Sequence, residues 1–256
     1  MRGVKIVELR FYARLAILLG VLYANALSAQ KGNAVNLLEF KYGFHFPAGD
    51  LADRFGSNND IGISIQSVRI KSKVFFGLEG NYIFGNHVNE DVLYRLRTYD
   101  GSILGVDGLP GDINLKERGY YIGVNGGKII STTRWEKKLT GIRLQLGVGF
   151  LQHKIRVQDN TETVIALRKE YLPGYDRLTN GAAMHLGIGY QYQSPNNNFH
   201  FHIMADLFGA QTASRRDFDY AEGAQLYGKR TDWLSGFSLA YVVSISRVSK
   251  PENIYY

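Results

Sequence analysis

The 256-residue sequence has no cysteine, only five prolines and, past its first 29 residues, no apolar run long enough to form a membrane-spanning helix. Without cysteine there is no disulfide framework, no thiolate nucleophile or ligand, and no acylated cysteine to tether the chain as a lipoprotein. Without a second apolar run, the α-helical route across a membrane is closed. Charge of one sign is also scarce. Thirty Lys and Arg against 23 Asp and Glu give +7, of which residues 1–29 supply +3 through Arg2, Lys5, Arg10 and Arg14 against Glu8, leaving +4. That excess is no nucleic-acid footprint. His-x-Ser and Gly-x-Ser-x-Gly patterns are missing too, and with them the common sequence signs of an activated serine.

What is abundant is glycine, at 29, with 17 tyrosines and 14 phenylalanines, a composition that fits one all-β domain. The first 29 residues read as a cleaved secretory signal. A basic start leads into the apolar Leu15–Leu27 stretch, too short to span a bilayer, and then into small residues that allow cleavage after Ser28 or Ala29. The mature domain is then residues 30–256.

Eight segments alternate with period two, the signature of two-faced strands. They run over Asn36–Phe46, Asp60–Ile70, Val74–Phe84, Gly119–Ile129, Gly141–Val157, Ala182–Tyr192, Asn196–Thr212 and Leu234–Arg247. In the first, Leu38, Phe40, Tyr42, Phe44 and Phe46 oppose Glu39, Lys41, Gly43 and His45. The gaps after the second, fourth and sixth segments are short to medium, whereas those after the odd segments are longer and polar. An even strand number with alternating short turns and long loops predicts an antiparallel, up-and-down transmembrane β-barrel, with the apolar parity facing lipid and the small or polar parity facing the lumen. A secreted β-sandwich is the competing fold, but its water-facing parity would be rich in Lys, Glu and Thr rather than in glycine. Aromatic residues suggest two interfacial girdles, Phe44, Phe46, Tyr82, Phe84, Tyr120 and Trp233 at the long-loop rim and Phe75, Phe76, Tyr190, Tyr192, Phe199 and Tyr255 at the other.

The segments "ALSAQ", "FKYGFHFPAGDLADRFG", "GVGFLQHKI", "EYLPGYDRLTNG" and "PENIYY" carry a resemblance to small eight-stranded outer-membrane barrels of the OmpA-transmembrane-domain and OmpW kind, and more narrowly to those of Bacteroidota. The resemblance implies an integral protein of the bacterial outer membrane, with periplasmic turns and extracellular loops. It transfers no functional residues.

The polar parity gathers Glu39, Lys41, Glu79, Arg143, His185, His200, His202 and Asp206 in the lumen. A tight hairpin centred near Asn196 would set Asp206 opposite His185 and His200 opposite Gln191. The histidines and Asp206 could form a metal or proton site, but no third strand visibly supplies a further ligand. A paired interior network, with no metal and no cofactor, is the preferred reading. A conduit survives only if the inward glycines Gly123, Gly147, Gly149, Gly187 and Gly189 leave a passage. The long-loop rim carries His45, His87, His153, Asp50 and Asp159, without a recognisable catalytic spacing. Among the loops, Tyr171, Tyr175, Arg177, Arg215, Arg216 and Tyr220 are candidates for an interface. The expected function is therefore non-catalytic: a structural or accessory subunit that docks other envelope or secretion-machine proteins. Its surroundings are outer-membrane lipids and lipopolysaccharide, with no nucleic acid as partner. The alternatives are a passive conduit for small apolar molecules and, behind it, a lipid-modifying enzyme or protease.

Overall fold

A computed structural model describes residues 34–132, 138–194 and 200–245. The leader, the end of the C-terminal tail, Phe199 and Tyr255 lie outside the described residues. Eight antiparallel strands follow one another around a closed ring: β1 (Ala34–Gly49), β2 (Asn58–Arg69), β3 (Val74–Gly85), β4 (Ile113–Ser131), β5 (Gly141–Asp159), β6 (Thr179–Gln193), β7 (His200–Ser214) and β8 (Lys229–Ser244), with β8 paired back to β1. The ring leaves no free sheet edge.

Register sets the shape. Following paired residues once round the ring leads from Leu37 through Gln66, Gly77, Asn125, Gly147, His185, Phe208 and Leu234 back to Pro47 on β1, ten positions from the start. Eight strands with a stagger of ten tilt by roughly 40° from the barrel axis. Outward positions of β8 stay large and mostly apolar from Trp233 to Val243, with Ser235 the exception. At that tilt their ten steps span about 25 Å, the height of a bilayer's apolar band. Phe40, Ile61, Ile122, Leu146, Ile188 and Ile203 are among those continuing the belt around the outside, all about half exposed. A water-soluble protein does not carry apolar surface around its whole girth. The chain is a transmembrane β-barrel, with its short turns periplasmic and its long loops extracellular.

The observed strands differ from the sequence reading mainly at the extracellular end. β4 begins at Ile113 rather than Gly119, and β8 at Lys229 rather than Leu234. These strand extensions carry polar or charged residues on the outward parity, with Ile113 and Leu115 of β4 turned inward, because they stand above the hydrocarbon. A short helix, α1 (Asp50–Arg54), lies within what reads as plain loop between β1 and β2.

The upper girdle residues Phe44, Phe46, Tyr82 and Trp233 point outward, with Phe44 edge-on to Phe46 at 5.0 Å and Tyr82 stacked on Phe84 at 6.1 Å. Phe75 does not belong to the lower girdle. It is odd-numbered on a strand whose odd positions face inward, and it is fully buried in the lumen.

Candidate functional site

Three layers fill the barrel. At the periplasmic end Leu37, Val68, Phe75, Ile129, Leu139 and Val242 form an apolar floor. Above it lies the polar layer. A larger apolar cluster closes the extracellular end, where Leu51 and Phe55 at α1 pack with Val92, Leu93, Ile103, Val164, Leu167 and Tyr175 from the loops.

Arg143 anchors the polar layer. Its guanidinium is fully buried, lies 4.1 Å from the centre of the Phe75 ring, and donates to Gln66 at 2.6 Å, Gln191 at 2.7 Å, Glu39 at 3.0 Å and Gln145 at 3.2 Å. Gln66 also donates to Glu39 at 2.9 Å. Higher up, His185 lies between two carboxylates, with Nδ1 2.8 Å from Glu79 and Nε2 2.8 Å from Asp206. The imidazole stacks on Phe208 with centroids 4.0 Å apart, and Ser238 donates to Asp206. Lys41 pairs with Asp60 at 3.2 Å and lies over the Phe208 ring. This satisfies the rule that charge inside a low-dielectric interior is paired and hydrogen-bonded.

All eight lumen residues singled out from the sequence face inward, but they do not converge on one point. His200 bonds to Gln191 at 2.9 Å, while His202 stands 3.5 Å from Glu39. Among the described residues no cluster of three or more His, Asp or Glu could hold a metal ion. The register of β6 and β7 also corrects the hairpin expectation by two positions: Phe208 is opposite His185, Gly187 opposite Asp206, and Gln193 opposite His200. A slip of two keeps every side chain on its face. Diagonal reach across the strands then restores the His185–Asp206 and Gln191–His200 contacts.

Sequence reasoning left out part of the network. Asp60, Gln66 and Gln145 lie on the same parity and could have been read from it, whereas Gln191, expected beside His200, is found there. The bond from His153 to Asp232 at 2.9 Å, with Thr212 donating to the same carboxylate oxygen at 2.5 Å, joins residues too distant in sequence to suggest one another.

The inward glycines do not leave a passage. A Cβ on Gly123 would lie 2.8 Å from Tyr121 Cζ, and one on Gly149 would lie 2.9 Å from Tyr121 Cε2. A Cβ on Gly189 would meet Met204 Cγ at 2.7 Å. Tyr121 and Met204 occupy the space that these glycines free. Among the described residues a cavity of about 20 Å³ lies beside Lys41, Glu79, His185 and Asp206. That is room for about one water molecule.

At the rim, His45 and His153 are buried, and His153 is held edge-on against Phe55 at 5.6 Å. Asp50 accepts the Thr231 amide at 2.6 Å, and Asp159 accepts those of Thr161 and Val164, both at 3.0 Å. These acids organise loops.

The four loops are tied by two buried arginines. Arg54 donates to Glu90 at 3.0 Å, to the Arg177 carbonyl at 3.1 Å and to Thr179 at 2.8 Å. Arg177 in turn reaches Glu90 at 2.5 Å, Glu222 at 2.9 Å and Asp219 at 3.1 Å. Burial lowers the affinity of Arg54 for its proton, the neighbouring Arg230 lowers it further, and Glu90 opposes both. Of the loop candidates, Arg177 and Tyr175 are buried within this assembly, so neither is free for a partner; Tyr175 packs edge-on against Tyr220 at 5.2 Å. Arg216 is held by Asp176 at 2.5 and 2.7 Å, and Arg215 by Asn180 at 2.5 Å. Tyr171 and Tyr220 remain exposed, together with Tyr99, Val106, Leu109 and Tyr227, which the sequence reading did not select.

No protein-family model matches the chain, and no curated protein does. Among solved structures it is similar to Ail, the attachment invasion locus protein of Yersinia pestis, in complex with the heparin analogue sucrose octasulfate, at 12% identity and a TM-score of 0.38 over 82% of this chain and 99% of that one. It is also similar to neisserial surface protein A, at 11% identity and 0.39 over 83% and 99%. A third is the outer membrane protein OprG of Pseudomonas aeruginosa, at 11% identity and 0.37 over 82% and 97%. This chain's own register and lipid-facing belt make it an eight-stranded transmembrane barrel of the outer-membrane type.

Proposed function

We propose that the protein is a non-catalytic anchor of the outer membrane whose loops dock another protein of the cell envelope, as a structural or accessory subunit of an envelope or secretion assembly. The observation that carries this reading is the combination of a filled lumen with loops tied into one surface by Arg54 and Arg177. A filled barrel argues against conduction, and the buried His153–Asp232 pair under Phe55 argues against catalysis at the rim. Fixed loops that expose aromatic and aliphatic side chains at their tips support recognition of a protein partner, because little ordering entropy remains to be lost on binding.

The test is site-specific photocrosslinking in native membranes from Tyr99, Leu109 and Tyr227, with Ile188 on the lipid face as control. One adduct of constant mass from the loop sites, and none from Ile188, is the expected result. Adduct-free loops, together with solute flux through the purified barrel in liposomes, would replace docking with the conduit.

A further inference from the structure

The outward face of the barrel is apolar or neutral along most of its extracellular end; apart from the single cation Lys229 on β8, outward charge is gathered in one place. On β4 and β5 the pairs Lys116–Arg156 and Arg118–Lys154 lie directly opposite each other, and all four residues are on the lipid-facing parity. Like charges set directly across an antiparallel ladder repel. Their neighbours relieve this only at Lys154. Lys116 donates to Gln158 at 3.3 Å and Arg118 to the Glu117 carbonyl at 2.6 Å. Among the described residues the one carboxylate within ion-pair distance of the four is Asp176, 3.7 Å from Lys154, and it is already held by Arg216.

Their height identifies what they meet. Arg118 is paired with the girdle residue Phe84, and one outward step below it Tyr120 packs on Phe150 at 6.4 Å. The four cations therefore lie at the upper edge of the apolar belt, where headgroups are. The patch continues sideways in neutral donors: Asn180, which carries Arg215, donates to Gln152 at 3.3 Å. In the outer leaflet of a Gram-negative outer membrane the anionic groups at that depth are phosphates on a glycolipid.

We propose that Lys116, Arg118, Lys154 and Arg156 form a binding surface for the phosphates of one outer-leaflet lipid A headgroup. The repulsion that remains within the quartet is the protein's side of the fit, since paired phosphates would convert two repulsive contacts into charge-assisted hydrogen bonds. The inference rests on the lipid-facing side of the barrel and is independent of the docking role.

The experiment compares the thermal unfolding midpoint of the full barrel in zwitterionic detergent with and without added diphosphoryl lipid A. The test variant carries Lys116→Gln, Arg118→Gln, Lys154→Gln and Arg156→Gln together; a control carries Lys71→Gln and Lys128→Gln near the periplasmic rim. Lipid A should raise the wild-type and control midpoints by roughly 2–8 °C and leave the quadruple variant unmoved. Without lipid A the quadruple variant should unfold at or above the wild-type temperature, because its repulsion is gone. A variant equally destabilised with and without lipid would make the quartet structural and overturn the proposal. So would an equal rise with dephosphorylated lipid A, with phosphatidylglycerol or with inorganic phosphate, each of which would remove the lipid A phosphates as the specific occupant.

Discussion

Arg143 Nη1 and Glu39 Oε1 lie 3.0 Å apart although their strands, β5 and β1, are on opposite sides of the eight-stranded ring. The pair is a strut across the barrel's diameter. Replacing Arg143 by Met takes from buried Glu39 its guanidinium partner and leaves it Gln66 and, at 3.5 Å, His202, which costs about 3–5 kcal/mol. Pairing that change with Glu39→Gln should recover at least half of the loss. Denaturant unfolding of the four proteins in lipid bilayers checks both steps, and full additivity of the two substitutions would contradict the strut.

Glu90 receives both loop arginines, so it is the joint at which three loops meet. Glu90→Ala should leave the barrel's unfolding midpoint unchanged within error while loosening the loops. Losing charge-assisted bonds worth about 1–3 kcal/mol speeds amide exchange around residues 88–93 and 219–223 roughly ten- to hundredfold. Hydrogen exchange resolved by segment is the measurement.

The fit of Tyr121 against glycine predicts a rescue. Gly123→Ala places a methyl group against the ring and should lower stability by about 1–3 kcal/mol. Tyr121→Leu alone also destabilises, but combined with Gly123→Ala it should lose less than the sum. Heat-dependent gel mobility of the folded barrel reads the result, and a strictly additive double variant would show that the ring and the glycine do not share space.

Outside the membrane, Asp91 gives a pH dependence. Burial works to raise its carboxyl, but the Arg97 guanidinium at 2.6 Å and the Leu93 amide outweigh this and hold it below the usual carboxylate range. A depressed carboxyl contributes stability that is present above its unfolded pKa of about 3.9 and is lost as pH falls through the lower folded value. Amides of residues 93–97, corrected for intrinsic rate, should lose protection as pH drops from about 5 to 3. In Asp91→Asn the same amides should be less protected at neutral pH and insensitive to that drop.

The faces of this barrel are legible in the sequence because period two is a local property. Phe40 and Glu39 differ in solvent simply by being neighbours on a strand. Register is another matter. It depends on turns, and a centre misplaced by one residue moved the β6–β7 pairing by two positions without changing one face. The strand starts at Ile113 and Lys229 are hidden because the outward parity stops being apolar where lipid stops, although the ladder continues; in β4 the apolar parity even switches to the inward Ile113 and Leu115. Least legible was what fills the lumen. Glycine at 123 and 149 reads as space, and nothing nearby in sequence says that the ring of Tyr121 takes it. The same holds for Arg177, whose basic character suggests a surface residue but whose partners Glu90 and Glu222 come from two other loops.

If the protein is the anchor proposed above, its floor of Phe75 and Leu37, core of paired ions and roof of Leu51 and Phe55 let it enter the membrane without opening a hole. A cell could then carry it at high density without surrendering its barrier to antibiotics, bile salts or the loss of periplasmic solutes. The number of copies would be set by membrane area and assembly capacity rather than by leakage.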